Sequence, residues 1–144
     1  MEVPQKVLDS VYGSKPADWK QHANGGGWVY KTAKVETSVY LHPTSIVSGN
    51  ARVYGNAQVY GDAWVISPPY LQGSRHALTL CSLTQLAIGC HIHDFAYWTK
   101  HASAIGRAEG YTKEQIAEYK RHITYLTAIA KRLQLAAKKA AKTK

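Results

Sequence analysis

Gly73-Ser74-Arg75-His76 is the stretch of this 144-residue chain best suited to holding an anion. A glycine lets backbone N–H groups approach an anion closely, a serine adds a hydroxyl donor, and an arginine presents a planar fork that matches phosphate. Tyr70, Trp98 and Tyr111 offer rings on which a base can stack. Lys120 and Arg121 would bring further charge if a neighbouring subunit delivered them to the same place. The plainer role for Arg75 is to satisfy backbone carbonyls at the end of the last coil.

Two other groupings could carry chemistry. Cys90, His91 and His93, with Cys81 and His101 further off, have the donor types of a zinc site. Zinc needs four ligands in tetrahedral range, and adjacent strand positions send Cys90 and His91 to opposite faces. No metal and no cofactor are therefore expected. His42, followed by Pro43, is a lone candidate general base, with no Ser–His–acid set or carboxylate pair beside it. The chain leans away from catalysis.

The element that must position these residues is a repeat. Residues 26–67 divide into seven hexapeptides, GGWVYK, TAKVET, SVYLHP, TSIVSG, NARVYG, NAQVYG and DAWVIS. The fourth position is always aliphatic: Val29, Val35, Leu41, Val47, Val53, Val59 and Val65. The second is small in six of the seven, with Val39 the exception. Gly49, Gly55 and Gly61 recur where the chain must turn. This pattern resembles the left-handed hexapeptide-repeat β-helix, in which three hexapeptides make one triangular coil. The resemblance implies two and a third coils, with Val29 on Val47 on Val65, Val35 on Val53, and Leu41 on Val59 inside. At ~4.8 Å between strands, the stack is only about 10 Å tall and needs covering at its edges.

The fold class expected is α+β: a short left-handed parallel β-helix of about two coils, then a β-hairpin and C-terminal helices. Residues 1–25 form the N-terminal cap, with Trp19 as its plug. Residues 26–67 form the β-helix, and residues 68–144 form a hairpin-and-helix module packing on it. Pro68 and Pro69 end the coils because proline cannot donate to a ladder. The hairpin pairs Ala77–Leu80 with Gln85–Cys90. A helix capped by Asp94 runs to about Ala104, where Gly106 and Gly110 break it. A last helix starts in a Thr112/Gln115 capping box and carries a heptad seam of Ile116, Tyr119, Ile123, Leu126, Ala130 and Leu133. Outside the coils, Trp28, Ile46 and Trp64 fall eighteen residues apart and form an apolar strip. That strip is expected beneath the C-terminal helices or inside a homotrimer.

Charge adds a further bound. The net charge is +9, and it is uneven. Residues 1–73 hold six Lys/Arg against five Asp/Glu, and residues 74–144 hold twelve against four. The second half is thus +8, which points to an acidic partner. Two cysteines make no disulfide framework. With no long apolar run and no leader pattern, a soluble cytoplasmic protein is expected, with no membrane partner.

An Asn-Gly-Gly-Gly-Trp opening, GNA and GDA coils, a Gly-Ser-Arg hairpin and an Ile-Gly-Cys strand before terminal helices together resemble a group of small phage and prophage proteins. The resemblance implies a viral accessory protein acting against bacterial immunity in the infected host cell. Two functions of different class follow. In the first, the protein is a non-catalytic sponge that sequesters an anionic nucleotide signal, of cyclic nucleotide or ADP-ribose type, at Ser74, Arg75, His76, Tyr70, Trp98, Lys120 and Arg121. In the second, it is a protein–protein inhibitor of a defence effector such as a CRISPR complex. A lesser alternative is a relative of the hexapeptide acyltransferases.

Overall fold

The computed structural model describes residues 2–142. The chain is mixed α+β and divides into two compact units, the first ending at Pro68 and the second beginning at Pro69. Among the described residues, no helix is long and apolar enough to cross a membrane.

In the first unit, short strands pair across a constant interval. β2 (Trp28–Tyr30) pairs in parallel with β5 (Ile46–Val47), placing Trp28 beside Ile46 and Val29 beside Val47. β3 (Lys34–Val35) pairs with β6 (Arg52–Val53), and β4 (Tyr40–Leu41) with β7 (Gln58–Val59). Every partner in these three ladders lies eighteen residues on, the interval that the hexapeptide period predicts. Leu41, Val47, Val53 and Val59 are buried, as are Ala33, Val39, Ser45, Ala51 and Ala57 at the second positions.

The last hexapeptide departs from the expectation. β8 (Ala63–Trp64) sets Ala63 beside Ile46 and Trp64 beside Val47, an interval of seventeen. Gly61 and Asp62 both have left-handed φ, 75° and 58°, so this corner turns in one residue fewer. Aspartate tolerates that region better than most side chains. A one-residue slip exchanges the two faces of a strand. Trp64, expected outside, is therefore 3 % exposed, and Val65, expected inside, is 60 % exposed. Burying the indole removes more apolar surface than burying a valine, although the Trp64 Nε1 hydrogen finds no acceptor.

The N-terminal segment accounts for the rest of the apolar strip. α1 (Gln5–Asp9) and the turn at Pro16–Asp18 lead to β1 (Trp19–Gln21), which pairs antiparallel with β2. Val3, Val7 and Trp19 bury Trp28 and Ile46 in one cluster. The chain's own N-terminal residues thus cover Trp28 and Ile46 of the strip. Trp19 lies in the cluster that covers this strip, against Tyr30, with ring centroids 5.0 Å apart.

The second unit is a four-stranded antiparallel sheet with two helices. β9 (Tyr70–Gln72), β10 (Ala77–Thr79), β11 (Gln85–Ile88) and β12 (His91–Asp94) follow one another as a meander, so the expected hairpin gains a strand on each side. α2 (Phe95–Ala108) begins where Asp94 Oδ1 accepts from Tyr97 N at 2.8 Å. It runs past the expected end at Ala104 and through Gly106. A Cβ at Gly106 would lie 2.9 Å from Ile116 Cγ1, so this glycine serves close helix packing, and the chain turns at Gly110 instead. α3 (Lys113–Lys142) opens with the expected reciprocal cap: Gln115 N donates to Thr112 Oγ1 at 3.1 Å, and Thr112 N to Gln115 Oε1 at 2.9 Å. Its heptad seam is used within the unit. Tyr119, Ile123 and Leu126 pack with Trp98 of α2 against Leu78, Leu86 and Ile88 of the sheet.

The register can be tested by paired substitutions. Val53→Asp should cost about 3 kcal/mol or more, because it buries an unpaired charge, whereas Val65→Asp should stay within about 0.5 kcal/mol as an exposed change. Urea unfolding of both variants measures the difference. Equal losses would restore the uninterrupted eighteen-residue register.

Candidate functional site

The turn between β9 and β10 carries Gly73 to His76 onto the first turns of α3, and the tyrosine hydroxyl of Tyr119 organises it. That oxygen accepts from the backbone N–H of Arg75 at 2.9 Å and of His76 at 2.6 Å, and donates to the His76 carbonyl at 2.6 Å. Gly73 is required by the same contact, since a Cβ there would run into the Tyr119 ring.

An anion does occupy the grip, and it belongs to the chain. Ser74 donates from its N–H to Glu118 Oε2 at 3.0 Å and from its hydroxyl to Glu118 Oε1. His122 Nε2 lies 2.8 Å from the same carboxylate, one helical turn on. The Ser74 hydroxyl bond, followed by its backbone N–H and His122, holds the Glu118 carboxyl below the usual carboxylate range. Glu118 therefore fills the place in which a phosphate was expected.

Arg75 takes the plainer of its two roles, though not at the end of the coils. Its guanidinium reaches the carbonyls of Glu109 at 3.2 Å and Gly110 at 3.3 Å, with Gln115 Oε1 at 3.4 Å, and lies over the Tyr111 ring at 5.1 Å. Those carbonyls belong to the C-cap of α2 and the residue after it, where a cation suits both hydrogen bonding and the helix dipole. The Glu109 carboxylate meanwhile meets His91 Nε2 at 2.9 Å, and this bond is the main cause of its lowered pKa.

His76 stacks on Tyr111, centroids 5.6 Å apart, and its Nδ1 bonds the Tyr111 hydroxyl. Burial pushes that hydroxyl well above its ordinary pKa, so it stays protonated. His76 and Glu109 stand at the mouth of a cavity floored by Ile88, Trp98, Ile105 and Ile116. Its volume of about 30 Å³ gives room for about one or two waters.

Of the remaining ligand-binding candidates, Trp98 shares that cavity, and Tyr70, Lys120 and Arg121 do not line it. Trp98 is 2 % exposed, and its Nε1 donates to Leu86 O at 2.7 Å, so its ring offers no face to a base. Tyr70 is half-buried on β9, with its hydroxyl 3.3 Å from Gln72 Oε1. Lys120 and Arg121 are exposed on α3, and among the described residues no hydrogen bond or ion pair joins either side chain to the turn. Among the described residues, no three His, Cys, Asp or Glu side chains converge on a point where a metal ion could sit. His93 stacks on Tyr97 with centroids 3.9 Å apart, and burial, then the charge of His91, lowers its pKa. In the first unit, Thr44 N donates to His42 Nδ1 at 3.2 Å. That bond leaves the proton of the neutral ring on Nε2, the wrong tautomer for a base acting from that nitrogen.

Sequence reasoning missed Glu118, Tyr119 and Glu109 as partners of the turn. A glutamate one residue before a core tyrosine is the only local signal, and it has no meaning until the turn is placed beside it. No protein-family model, curated protein or solved structure matches the chain.

Two outcomes follow. Tyr119→Phe should cost about 2 kcal/mol, since it leaves two turn N–H groups without their acceptor. For Glu118, a folded pKa below the usual 4.5 gives stability that is present above that value and lost as pH falls through the folded pKa. Thermal melts should therefore show Glu118→Gln less stable than the parent at pH 7, with the gap closing as pH falls below 4.5 and through the folded pKa. A gap that widens on acidification would refute the bonded carboxylate.

Proposed function

We propose that this protein is a non-catalytic phage accessory protein that blocks a bacterial defence component by docking on an anionic macromolecule. We further propose that the three ladders of its first unit are the faces of a short left-handed β-helix of the hexapeptide kind. The eighteen-residue pairing interval and the buried small second positions support the fold reading. The phage assignment and the place of action, the cytoplasm of the infected host, rest on the sequence resemblance alone.

One observation carries the choice between the two functional classes. The backbone N–H groups of Ser74, Arg75 and His76, the Ser74 hydroxyl and both Arg75 Nη groups are engaged inside the unit, by Glu118, Tyr119, Gln115 and the turn after α2, and His76 Nδ1 bonds the Tyr111 hydroxyl. A nucleotide would have to displace a carboxylate that is already hydrogen-bonded three ways, and the adjoining cavity is too small to receive it. The protein's excess charge lies elsewhere. Lys120, Arg121, Lys131, Arg132, Lys138 and Lys139 are all exposed on α3, and none joins an ion pair among the described residues. A surface of that kind suits a large polyanion better than a small one.

The homotrimer expected from sequence loses both of its surfaces, because α1 and Trp19 cover the tryptophan strip and the sheet covers the α3 seam. Light scattering should give a mass near the 15.9 kDa of one chain.

Calorimetry against cyclic di- and trinucleotides and cyclic ADP-ribose isomers should show no heat, while a heparin column should retain the protein. Removing two lysines together, Lys138→Ala with Lys139→Ala, should shorten that retention. Heat from a nucleotide that is later released unchanged would return the case to the sponge. Lack of retention would refute docking through charge.

A further inference from the structure

The six bases are not scattered. An α-helix advances 100° per residue, which places Lys120, Lys131 and Lys138 on one line along α3 and Arg121, Arg132 and Lys139 on a second, about 100° around the axis. Between the two lines run Ala117, Thr124, Ala128 and Leu135, all exposed. The acids of α3 are Glu114, in its first turn before the six bases begin, and Glu118, whose carboxylate is taken by Ser74 and His122; none follows Glu118 among the described residues. From Lys120 to Lys139 the two rails extend about 28 Å.

We infer that this face of α3 lies in the major groove of duplex DNA, with one rail of bases on each phosphate backbone. This inference rests on the docking reading above and names its polyanion. A helix with side chains is about 10–12 Å across, and the major groove of B-form DNA is about 12 Å wide. The small side chains between the rails let the helix axis approach the groove floor, and the flanking lysines and arginines reach outward to both strands. The centre line lacks Asn, Gln and Arg, the side chains that read base edges by paired hydrogen bonds. Binding is therefore independent of sequence and driven by release of counterions.

The same face fits other polyanions poorly. A protein partner would need buried aromatic or arginine anchors at the centre of the contact, where lysine is depleted, and here the centre is alanine, threonine and one leucine. A bilayer would need a broad apolar face, and Leu135 is the one large aliphatic side chain between the rails. Single strands bind by stacking on aromatic rings, and Tyr125 is the lone exposed aromatic on α3.

Fluorescence anisotropy of the full chain tests this with a labelled 20-base-pair DNA duplex, the matching RNA duplex and poly-L-glutamate. Affinity for DNA should fall about a thousandfold between 50 and 200 mM salt if six phosphates are contacted. Lys131→Ala with Lys138→Ala, and separately Arg132→Ala with Lys139→Ala, should each reduce the salt slope by about 2. Lys20→Ala with Lys34→Ala removes the same charge from the first unit and should leave the slope unchanged. The RNA duplex, whose major groove is deep and narrow, should bind more weakly. Poly-L-glutamate bound more tightly than DNA through the same lysines, or RNA bound as tightly as DNA, would overturn the groove assignment and leave the docking reading standing. Binding to none of the three would overturn both.

Discussion

Two-residue strands cannot hold one another unless each is stacked in register on the next. A ladder of two residues makes too few hydrogen bonds to be stable in water, so the first unit depends on the column of aliphatic side chains behind the ladders. Val47, Leu41 and Val59 are wholly buried, and each sits at a ladder position whose partner is eighteen residues away. A shared interval makes the three ladders interdependent, because a shift in one would turn its column outward. The slip at Gly61-Asp62 is tolerated where it occurs because β8 is the last strand of its ladder and nothing further must follow its register. It also places a tryptophan, rather than a valine, against Val47, which contributes apolar burial while leaving one indole N–H unpaired.

The second unit solves a different problem, that of a polar turn seated on the start of a helix. The β9–β10 turn points backbone N–H groups at α3, and α3 answers with a hydroxyl and a carboxylate one residue apart, Tyr119 and Glu118. The arginine of the turn reaches across to the carbonyls at the C-cap of α2 and the residue after it. Turn, helix end and helix start are thus tied by hydrogen bonds that each satisfy a group otherwise left wanting. Chemistry that resembles a ligand site in sequence is used here to join elements. This is why the positive charge available to a partner resides on α3 and not at Arg75.

That division has a consequence for function. Arg75 is a single charge held against carbonyl oxygens, whereas six exposed bases along one helix face sum their fields over about 28 Å. An acidic partner would be drawn to α3 first, whatever the geometry of the turn. The two features that looked like one site in sequence, Arg75 and the basic helix, are separate in the folded unit.

The parts of the structure legible in the sequence are those set by neighbours along the chain. The eighteen-residue interval follows from a repeated hexapeptide. The Asp94 cap and the Thr112/Gln115 box each need only residues three apart. The heptad seam of α3 follows from helical periodicity, although its partner, a sheet of the same chain, does not. What the tertiary structure alone decided involves distant partners. Glu118 meets Ser74 across 44 residues, Gly106 packs on Ile116 where an isolated reading makes it a helix breaker, and Val3 and Val7 cover a strip whose covering the repeat pattern does not specify. The slip at Trp64 belongs with these, since the hexapeptide pattern favours Val65 inside and only the competition for buried space chooses the larger side chain. Local hydrogen bonds and periods are written into short stretches of sequence. Which donor meets which acceptor across the fold depends on where the backbone has already gone.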